Sequence, residues 1–365
     1  MLGKLAMYLK AKIKQSLRGI KHQAISKVNR KLGKEYIVNS RELLAIDTCS
    51  ICNLDCRFCA YGKKESLKME MEDSFFEDLI HQAVELGFDK FCMTPTTGDI
   101  FVGKNVLNKL AILENHPKVK SYFFHTNFTL PTESQILSLL DLKKLSELNI
   151  SWYGHDTQSF IDLTRSTSKV FGRMVDNLKF LLKHWSREKG HPLVNIYLRT
   201  LYSFKFSAMD DSELSDIFRE LLHSQRIPLH LTTEYNNWGG TVSQADAEGL
   251  DIRIDDKPFP KTGACLLIFF SLQVFADGRV NACSCRDVDG KLVIGDLNQE
   301  KLKDILSDRN PVYMKLIENQ QKNIFHPVCQ SCDFYRSIYR GDVSDYYKKP
   351  VMNLEEFYKV LSETK

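Results

Sequence analysis

Apolar positions recur along this chain in two rhythms. From Leu2 to Leu32 they fall every three or four residues, at Leu2, Leu5, Leu9, Ile13, Leu17, Ile20, Ala24, Val28 and Leu32, with lysines between them. On a helix that spacing makes one apolar stripe in a basic surround. From Leu43 the rhythm changes to short β-rich runs separated by helical stretches. Strands are predicted near 43–48 (LLAIDT), 90–95 (KFCMTP), 121–126 (SYFFHT), 148–153 (LNISWY), 195–201 (NIYLRTL) and 230–235 (HLTTEY), with helices near 72–87, 105–115, 133–146, 170–187 and 211–224. Several helices open on capping residues, as at Asp73-Ser74 and Asp211-Ser212. Six strands with helical crossovers predict a parallel α/β sheet curved as a partial barrel. Ligands then belong at the C-terminal ends of the strands.

After about residue 250 the rhythm changes again. SLQVFA, Asp277-Gly278 and RVNAC predict a hairpin with a type I′ turn, and a short strand at KLVIG and a helix near 299–307 follow. The chain divides on this reading into a basic arm (1–40), a barrel (41–250), a small α+β domain (251–340) and a helical tail (341–365). No internal repeat or low-complexity tract interrupts it.

Composition narrows the class. At ~150 residues per domain, 365 residues predict two to three domains. Apolar residues at 43% and charged residues at 26% describe an ordinary globular chain. The longest apolar run, Ala264 to Phe270, is far short of the ~20 residues a membrane span needs. Residues 1–34 carry ten Lys or Arg and no acid, which leaves the rest of the chain at −6 against a total of +4. Basic charge beside an apolar stripe is the composition of an interfacial helix. Three uses fit it: docking on the protein's own body, peripheral contact with a membrane surface through residues 1–34, or nucleic-acid binding. Nucleic acid is disfavoured, because Tyr8 is the arm's only aromatic before Tyr36.

Ten cysteines supply the chemistry: Cys49, Cys52, Cys56 and Cys59 in one stretch, Cys92, Cys265, the pair Cys283 and Cys285, and the pair Cys329 and Cys332. A secreted disulfide framework does not suit a chain of this length whose N-terminus is rich in lysine and lacks a compact apolar segment. The expectation is a cytoplasmic protein, membrane-associated at most on its cytoplasmic face, with clustered thiols that bind metal. In IDTCSICNLDCRFCAYG, directly after the first strand, Cys52, Cys56 and Cys59 can surround one face of an iron–sulfur centre and leave one iron open. Zinc sites instead close a shell of four ligands.

This CxxxCxΦC stretch, with Phe58 before the last cysteine, resembles the signature of the radical S-adenosylmethionine (SAM) enzymes. The resemblance implies a [4Fe–4S] cluster whose open iron chelates SAM, reductive cleavage to methionine and a 5′-deoxyadenosyl radical, and hydrogen abstraction from substrate. It places Thr97, Gly98 and Asp99 where the family has a GGE-like segment holding the SAM amino group, Asp standing for Glu. His125-Thr126-Asn127 is similar to the family's TNG, Ser151 resembles the residue that contacts ribose, and Arg199 can pair the SAM carboxylate in a bidentate bond. Cys49 lies outside the motif and reads as a packed thiol.

Cys265, Gly278 and Cys283 followed by Cys329 and Cys332 resemble the opening of the SPASM pattern and its CX2C, a four-thiolate shell for a second, auxiliary [4Fe–4S] cluster. No cysteine follows Cys332, so the truncated form called twitch, found in radical SAM aminocyclitol dehydrogenases, is the better match. Cys285 can replace Cys283, and a zinc ribbon on the same thiols is an alternative. The resemblance covers roughly residues 43–340. The fold expected is therefore α/β, a partial (β/α)6 TIM-like radical SAM barrel followed by a small α+β twitch/SPASM-type domain.

The function these features imply is oxidation of a sugar, cyclitol or other polar substrate, with the auxiliary cluster accepting an electron. Asp156 and Glu234, at strand ends, are candidate proton acceptors, while His155 reads as a packing residue. Trp238 and the glycines of NNWGG suit a pocket rim or a tight turn. A flavodoxin or ferredoxin would supply low-potential electrons, and the substrate would be a polar small molecule, a glycan or a peptide. Two alternatives stand beside this one: a peptide-modifying maturase forming thioether or carbon–carbon bonds, and a non-catalytic zinc-bearing adaptor whose arm docks on a membrane or RNA.

Overall fold

The computed structural model describes residues 20–38, 41–93, 96–209, 212–255, 260–341 and 350–364. The first half of the predicted arm, the Asp211 cap, the end of the 90–95 strand and all of 342–349 lie outside them. The chain enters through a helix, α1 (20–31), and a short strand, β1 (Ile37–Val38). An alternation follows: β2 (Leu43–Ile46), α2 (Asp73–Glu85), β3 (Lys90–Cys92), α3 (Val106–Asn115), β4 (Ser121–Thr126), α4 (Glu133–Asp141), β5 (Leu145–Tyr153), α5 (Thr157–Thr164), α6 (Ser168–His184), β6 (Leu193–Arg199), α7 (Glu213–Ser224) and β7 (Leu229–Thr232). The last third holds β8 (Glu234–Asn236), β9 (Arg253–Asp255), α8 (Leu267–Phe270), β10 (Gln273–Val274), β11 (Arg279–Asn281), β12 (Val293–Asp296), α9 (Leu302–Ile305), α10 (Pro311–Gln321), α11 (Pro327–Ser331), β13 (Val351–Met352) and α12 (Leu354–Ser362).

β2 to β7 pair in parallel and in chain order, as the alternation predicts, within a nine-stranded sheet ordered β12-β11-β10-β2-β3-β4-β5-β6-β7. The sheet is open, with β12 and β7 at its edges, so any barrel it makes is partial. Its helical side carries the large apolar residues. Phe91, Tyr122, Phe124, Leu148 and Trp152 are fully buried there, and the Trp152 ring meets Phe218 of α7 at 5.5 Å. Burial of each such side chain contributes on the order of 2 kcal/mol.

The structure differs from the sequence reading at four points. The helices α5, α8, α10 and α11 and the short strands β1, β9 and β13 were not predicted; α5 is only eight residues, too short for a period to show, and is set instead by a capping box between Asp156 and Ser159. The 230–235 strand splits into β7 and β8, and β8 leaves the main sheet to pair with β9. The Asp277-Gly278 turn is not type I′, which needs two positive φ values. Only Gly278 (φ +92°) has one, and Phe275 N–H donates to the carbonyl of Arg279, so the loop is three residues with glycine at the left-handed position. Finally, β10 is hydrogen-bonded in parallel to β2, so the small domain continues the barrel's sheet without a break at residue 250. The tail returns to the start: β13 pairs with β1, and Phe357 of α12 packs edge-on against Phe269 at 4.8 Å.

Candidate functional site

The loop after β2 carries the first cysteine group. It is held from α5, whose terminal carbonyls accept the N–H groups of Asp55 (from Thr164, 3.3 Å) and Arg57 (from Leu163, 2.9 Å), and an Arg165–Asp55 ion pair (2.8 Å) closes the contact. Cys52, Cys56 and Cys59 converge there. Leu54 N–H points at the Cys52 sulfur (3.4 Å), Tyr61 N–H at that of Cys59 (3.5 Å), and Cys59 N–H donates to the Cys56 carbonyl (3.0 Å). Burial pushes the Cys52 thiol up to about 12, with Asp99 adding to it, and raises Cys56 and Cys59, where the neighbouring sulfurs contribute for Cys56. Three such thiols stay neutral until a metal cation compensates their ionisation, and N–H donors toward the sulfurs suit an iron–sulfur centre. Cys49, fully buried, directs its thiol at the Ile51 carbonyl (3.8 Å).

The strand ends meet this loop. Gly98 (φ +114°) lies so close to it that an added Cβ would stand 2.5 Å from the Cys49 carbonyl oxygen. Thr97 is buried, and its hydroxyl has no partner. Asp99 does not offer a free carboxylate: it accepts from Asn127 N–H (2.7 Å), the Thr126 hydroxyl (2.9 and 3.1 Å) and Phe101 N–H (3.0 Å), tying the end of β3 to that of β4. Burial raises it to about 6, against the pull of those donors. Asn127 also reaches toward the Cys52 sulfur (3.9 Å).

Ser151 and Arg199 stand on the face of the sheet opposite Leu148 and Trp152. In-register residues of parallel strands share a face, and Ser151 pairs with Tyr197, Tyr153 with Arg199, and Asn149 with Asn195. Among the described residues nothing pairs the half-buried Arg199 guanidinium; its charge opposes, without overcoming, the upward push of burial on the Cys56 and Cys59 thiols, and after burial it is the second reason His125 falls to about 4. Phe58 is buried between Tyr235 (4.6 Å) and Tyr153 (5.3 Å). The two expected proton acceptors are placed otherwise. Asp156 is the N-cap of α5, taking the Ser159 N–H (2.7 Å) and hydroxyl (2.6 Å), because a strand-to-helix turn needs that acceptor. Glu234 is exposed on β8, beside Arg253 in register, because β8 has left the main sheet. His155 stacks on Phe204 at 4.4 Å.

In the small domain Cys265, Cys283, Cys329 and Cys332 line one pocket with Arg286, Asp287 and Tyr335. Backbone N–H groups lie beside the sulfurs: that of Phe334 donates to Cys332 (3.3 Å), and those of Arg336 and Leu267 near Cys265 and of Cys285 and Arg286 near Cys283 favour the ionised thiol against burial. Gln320 adds its side-chain amide on Cys329 (3.6 Å). Burial raises all four thiols, Cys265 to about 12 and Cys332 to about 11. Cys285 is not in the lining; its sulfur accepts instead from Arg286 (3.3 Å), which is fixed by a buried ion pair to Asp333 (2.7 Å). Among the described residues no three His, Cys, Asp or Glu side chains stand close enough to hold a single metal ion.

Sequence reasoning missed a set of buried polar groups at the end of β2 and on β10 and β11. Asp47 and Lys64 form an almost fully buried pair (3.8 Å), and neither Asp47 oxygen has a hydrogen bond; burial raises this acid to about 7 despite Lys64. Gln273 and Asn281 face each other across β10 and β11, both fully buried, with Gln273 Nε2 and Asn281 Oδ1 unpartnered. Gln273 accepts from Thr96 (2.6 Å), and Asn281 donates to the Cys283 carbonyl (2.8 Å). Their alternation with apolar neighbours is the only signal in the sequence, and it marks a face without saying what lies opposite.

Residues 265–333 match the family model of SPASM, an iron–sulfur cluster-binding domain. No curated protein sequence matches the chain. Among solved structures it is similar to BtrN in complex with AdoMet and 2-DOIA (TM-score 0.53, 13% identity, covering 83% of this chain and 96% of that one). It is also similar to SuiB of Streptococcus suis bound to S-adenosylmethionine (TM-score 0.51, 15% identity, 89% and 77% covered). A third is native anSMEcpe with bound AdoMet and Kp18Cys peptide (TM-score 0.51, 16% identity, 87% and 95% covered). At these identities the likeness is one of fold.

Proposed function

The chain carries a SPASM domain on the fold of the radical SAM enzymes, and from that premise we propose that it is a radical SAM oxidoreductase acting on a polar substrate in the cytoplasm. The observation that carries the reading is the pair of buried cysteine groups, three sulfurs at the end of β2 and four around the cavity of the small domain. Loaded with [4Fe–4S] clusters and SAM, and reduced by a flavodoxin or ferredoxin, these sites supply sulfonium cleavage to a 5′-deoxyadenosyl radical and an acceptor for the electron left after hydrogen abstraction.

The chain's own residues then divide the work. Cys52, Cys56 and Cys59 hold the first cluster; Cys265, Cys283, Cys329 and Cys332 hold the second, with the Cys285 sulfur kept on Arg286. Arg199 would receive the SAM carboxylate, since its unpaired fork faces the first group, and Ser151 on the same face would meet the ribose. Gly98 lets the β3 turn close on the cluster loop, Thr97 offers the free hydroxyl there, and Asp99 fixes that turn through Thr126 and Asn127. Phe58 closes the aromatic wall. Gln273, Asn281 and Asp47, buried with polar atoms unsatisfied, favour a substrate that brings hydroxyl or amide groups, because an apolar one would leave them uncompensated.

Dehydrogenation of a sugar or cyclitol accords with the likeness to BtrN; peptide modification accords with the likeness to anSMEcpe, whose structure holds a peptide. Anaerobic reconstitution tests the common core. Protein with about eight irons that releases 5′-deoxyadenosine once reduced supports the reading, and cleavage must vanish in the Cys52→Ala/Cys56→Ala/Cys59→Ala variant. A colourless zinc protein indifferent to SAM refutes it in favour of the adaptor. Mass change in a peptide against loss of two hydrogens from a cyclitol separates the two enzymatic readings.

A further inference from the structure

α1 sits on the protein by its polar side. Asn29 donates to the Tyr339 carbonyl (2.8 Å), Arg30 to the Gln321 carbonyl and to Asn323 Oδ1 (3.2 Å), and Arg340 reaches the His22 ring (3.2 Å). Ser26, between them in sequence, is buried. The apolar residues of the helix face outward. Ile20, Val28 and Leu32 are 60%, 55% and 62% exposed, and Ala24 is exposed with them. These four recur at every fourth position and so lie along one side. Amphipathic surface helices ordinarily bury this stripe in their own protein; here the orientation is reversed. Ile324, 58% exposed, follows the Asn323 that Arg30 holds and adds an apolar residue beside the helix.

Charge selects the occupant. Lys21, Lys27, Lys31 and Lys34 are all exposed around the stripe, and the first acid in the chain is Glu35. The same apolar spacing, with five more Lys or Arg, continues through residues 1–19. A protein partner of ordinary mixed charge would bury the stripe and leave these cations uncompensated. Anionic lipid answers both features at once, taking apolar side chains at the headgroup–acyl boundary and lysines at the phosphates.

We propose that the outward face of α1, lined by Ile20, Ala24, Val28 and Leu32, docks the protein on an anionic membrane surface. Because Gln321, Asn323, Tyr339 and Arg340 anchor the helix, the bilayer lies against the half of the molecule that carries the four-cysteine cavity. The proposal does not depend on the radical chemistry, and cluster-loaded protein tests it without turnover. In cosedimentation the full chain should bind phosphatidylglycerol–phosphatidylcholine vesicles and not phosphatidylcholine alone. The Ile20→Ser/Val28→Ser/Leu32→Ser variant should lose most of that binding at unchanged iron content and thermal midpoint, since these side chains are exposed. Lys21→Gln/Lys27→Gln/Lys31→Gln should weaken it by about fivefold per lysine. Equal binding by parent and both variants overturns the proposal, as does no binding by the parent. If the serine variant instead turns a dimer into a monomer while neither form binds vesicles, the face belongs to a second copy and the proposal is wrong.

Discussion

The indole Nε1 of Trp238 donates to the carbonyl oxygen of Phe58 over 2.9 Å, joining the NNWGG turn to the loop between Cys56 and Cys59. The same turn grips the other cysteine site: Asn237 donates to the Ser331 carbonyl (2.7 Å), and Gly239 and Gly240 lie against Val328 and Ser331 of α11, which carries Cys329. Asn237 to Gly240 thus brace both sites at once. A Cβ on Gly239 (φ +65°) would stand 2.5 Å from Val328 Cγ2 and 3.1 Å from the Arg286 carbonyl. Gly239→Ala should therefore displace α11 and reduce iron from about eight to about four per chain, read by iron and sulfide assay. Trp238→Phe, which loses one hydrogen bond, should cost about 1 kcal/mol in denaturant unfolding and keep its iron.

Cys283 and Cys285 should behave differently on substitution. Cys283→Ala removes a lining sulfur and should halve the iron content, whereas Cys285→Ala should retain about eight irons and weaken only the contact with Arg286. Retention of both clusters in Cys283→Ala would reverse this assignment.

Gly98→Ala combines a positive φ of 114° with a Cβ placed 2.5 Å from a main-chain oxygen of the cluster loop. Backbone oxygens cannot rotate away, so the loop must move. SAM cleavage should fall at least about 100-fold, equivalent to ~2.7 kcal/mol, while the auxiliary cluster keeps its absorption and electron-resonance signals.

Arg199→Lys should raise the dissociation constant for SAM by about tenfold or more, since a lysine cannot make the paired bonds of a guanidinium to a carboxylate. Iron content should not change, as Arg199 holds none of the thiols. Isothermal titration under nitrogen reads the effect; an unaltered affinity removes Arg199 from the site.

Asp47 makes stability depend on pH. Its folded value, raised to about 7 from 3.8, means that the folded chain holds a proton that the unfolded chain releases. Stability contributed by this group is present below about pH 4 and is lost as pH rises toward 7, with a slope of at most about 1.4 kcal/mol per pH unit. Asp47→Asn should flatten that decline, so that the variant gains on the parent between pH 5 and pH 8 in urea midpoints. Asp47→Leu alone strands Lys64 in the interior and should cost about 3 kcal/mol; Asp47→Leu/Lys64→Met should cost less than the single change.

The strand order of the barrel was legible because each parallel pair needs a crossover, and the chain displays one amphipathic helix between most successive strands. The cysteine groups were legible because thiol ligands come at fixed intervals within a loop. α5 was not, although it carries the cluster loop, because eight residues give no period and its start rests on a side-chain cap. The partners of Asp99 and Asp156 were not legible for a related reason: a carboxylate's hydrogen-bond donors, here Asn127, Thr126 and Ser159, are chosen by folding and leave no trace in spacing. The type I′ expectation failed because Asp-Gly permits two turns, and strand pairing at Phe275 and Arg279 selected the longer one.

By itself the sequence determined the order of elements, the two sets of sulfurs and the reach of the basic arm, all of which follow from short-range periodicity and local ligand spacing. Only the tertiary structure decided that β10 joins β2 to make one sheet of two units, that NNWGG braces both cysteine sites, and that α1 turns its apolar side outward. These are contacts between residues far apart in the chain. They depend on which surfaces remain uncovered after the sheet has formed, a quantity that no local pattern carries.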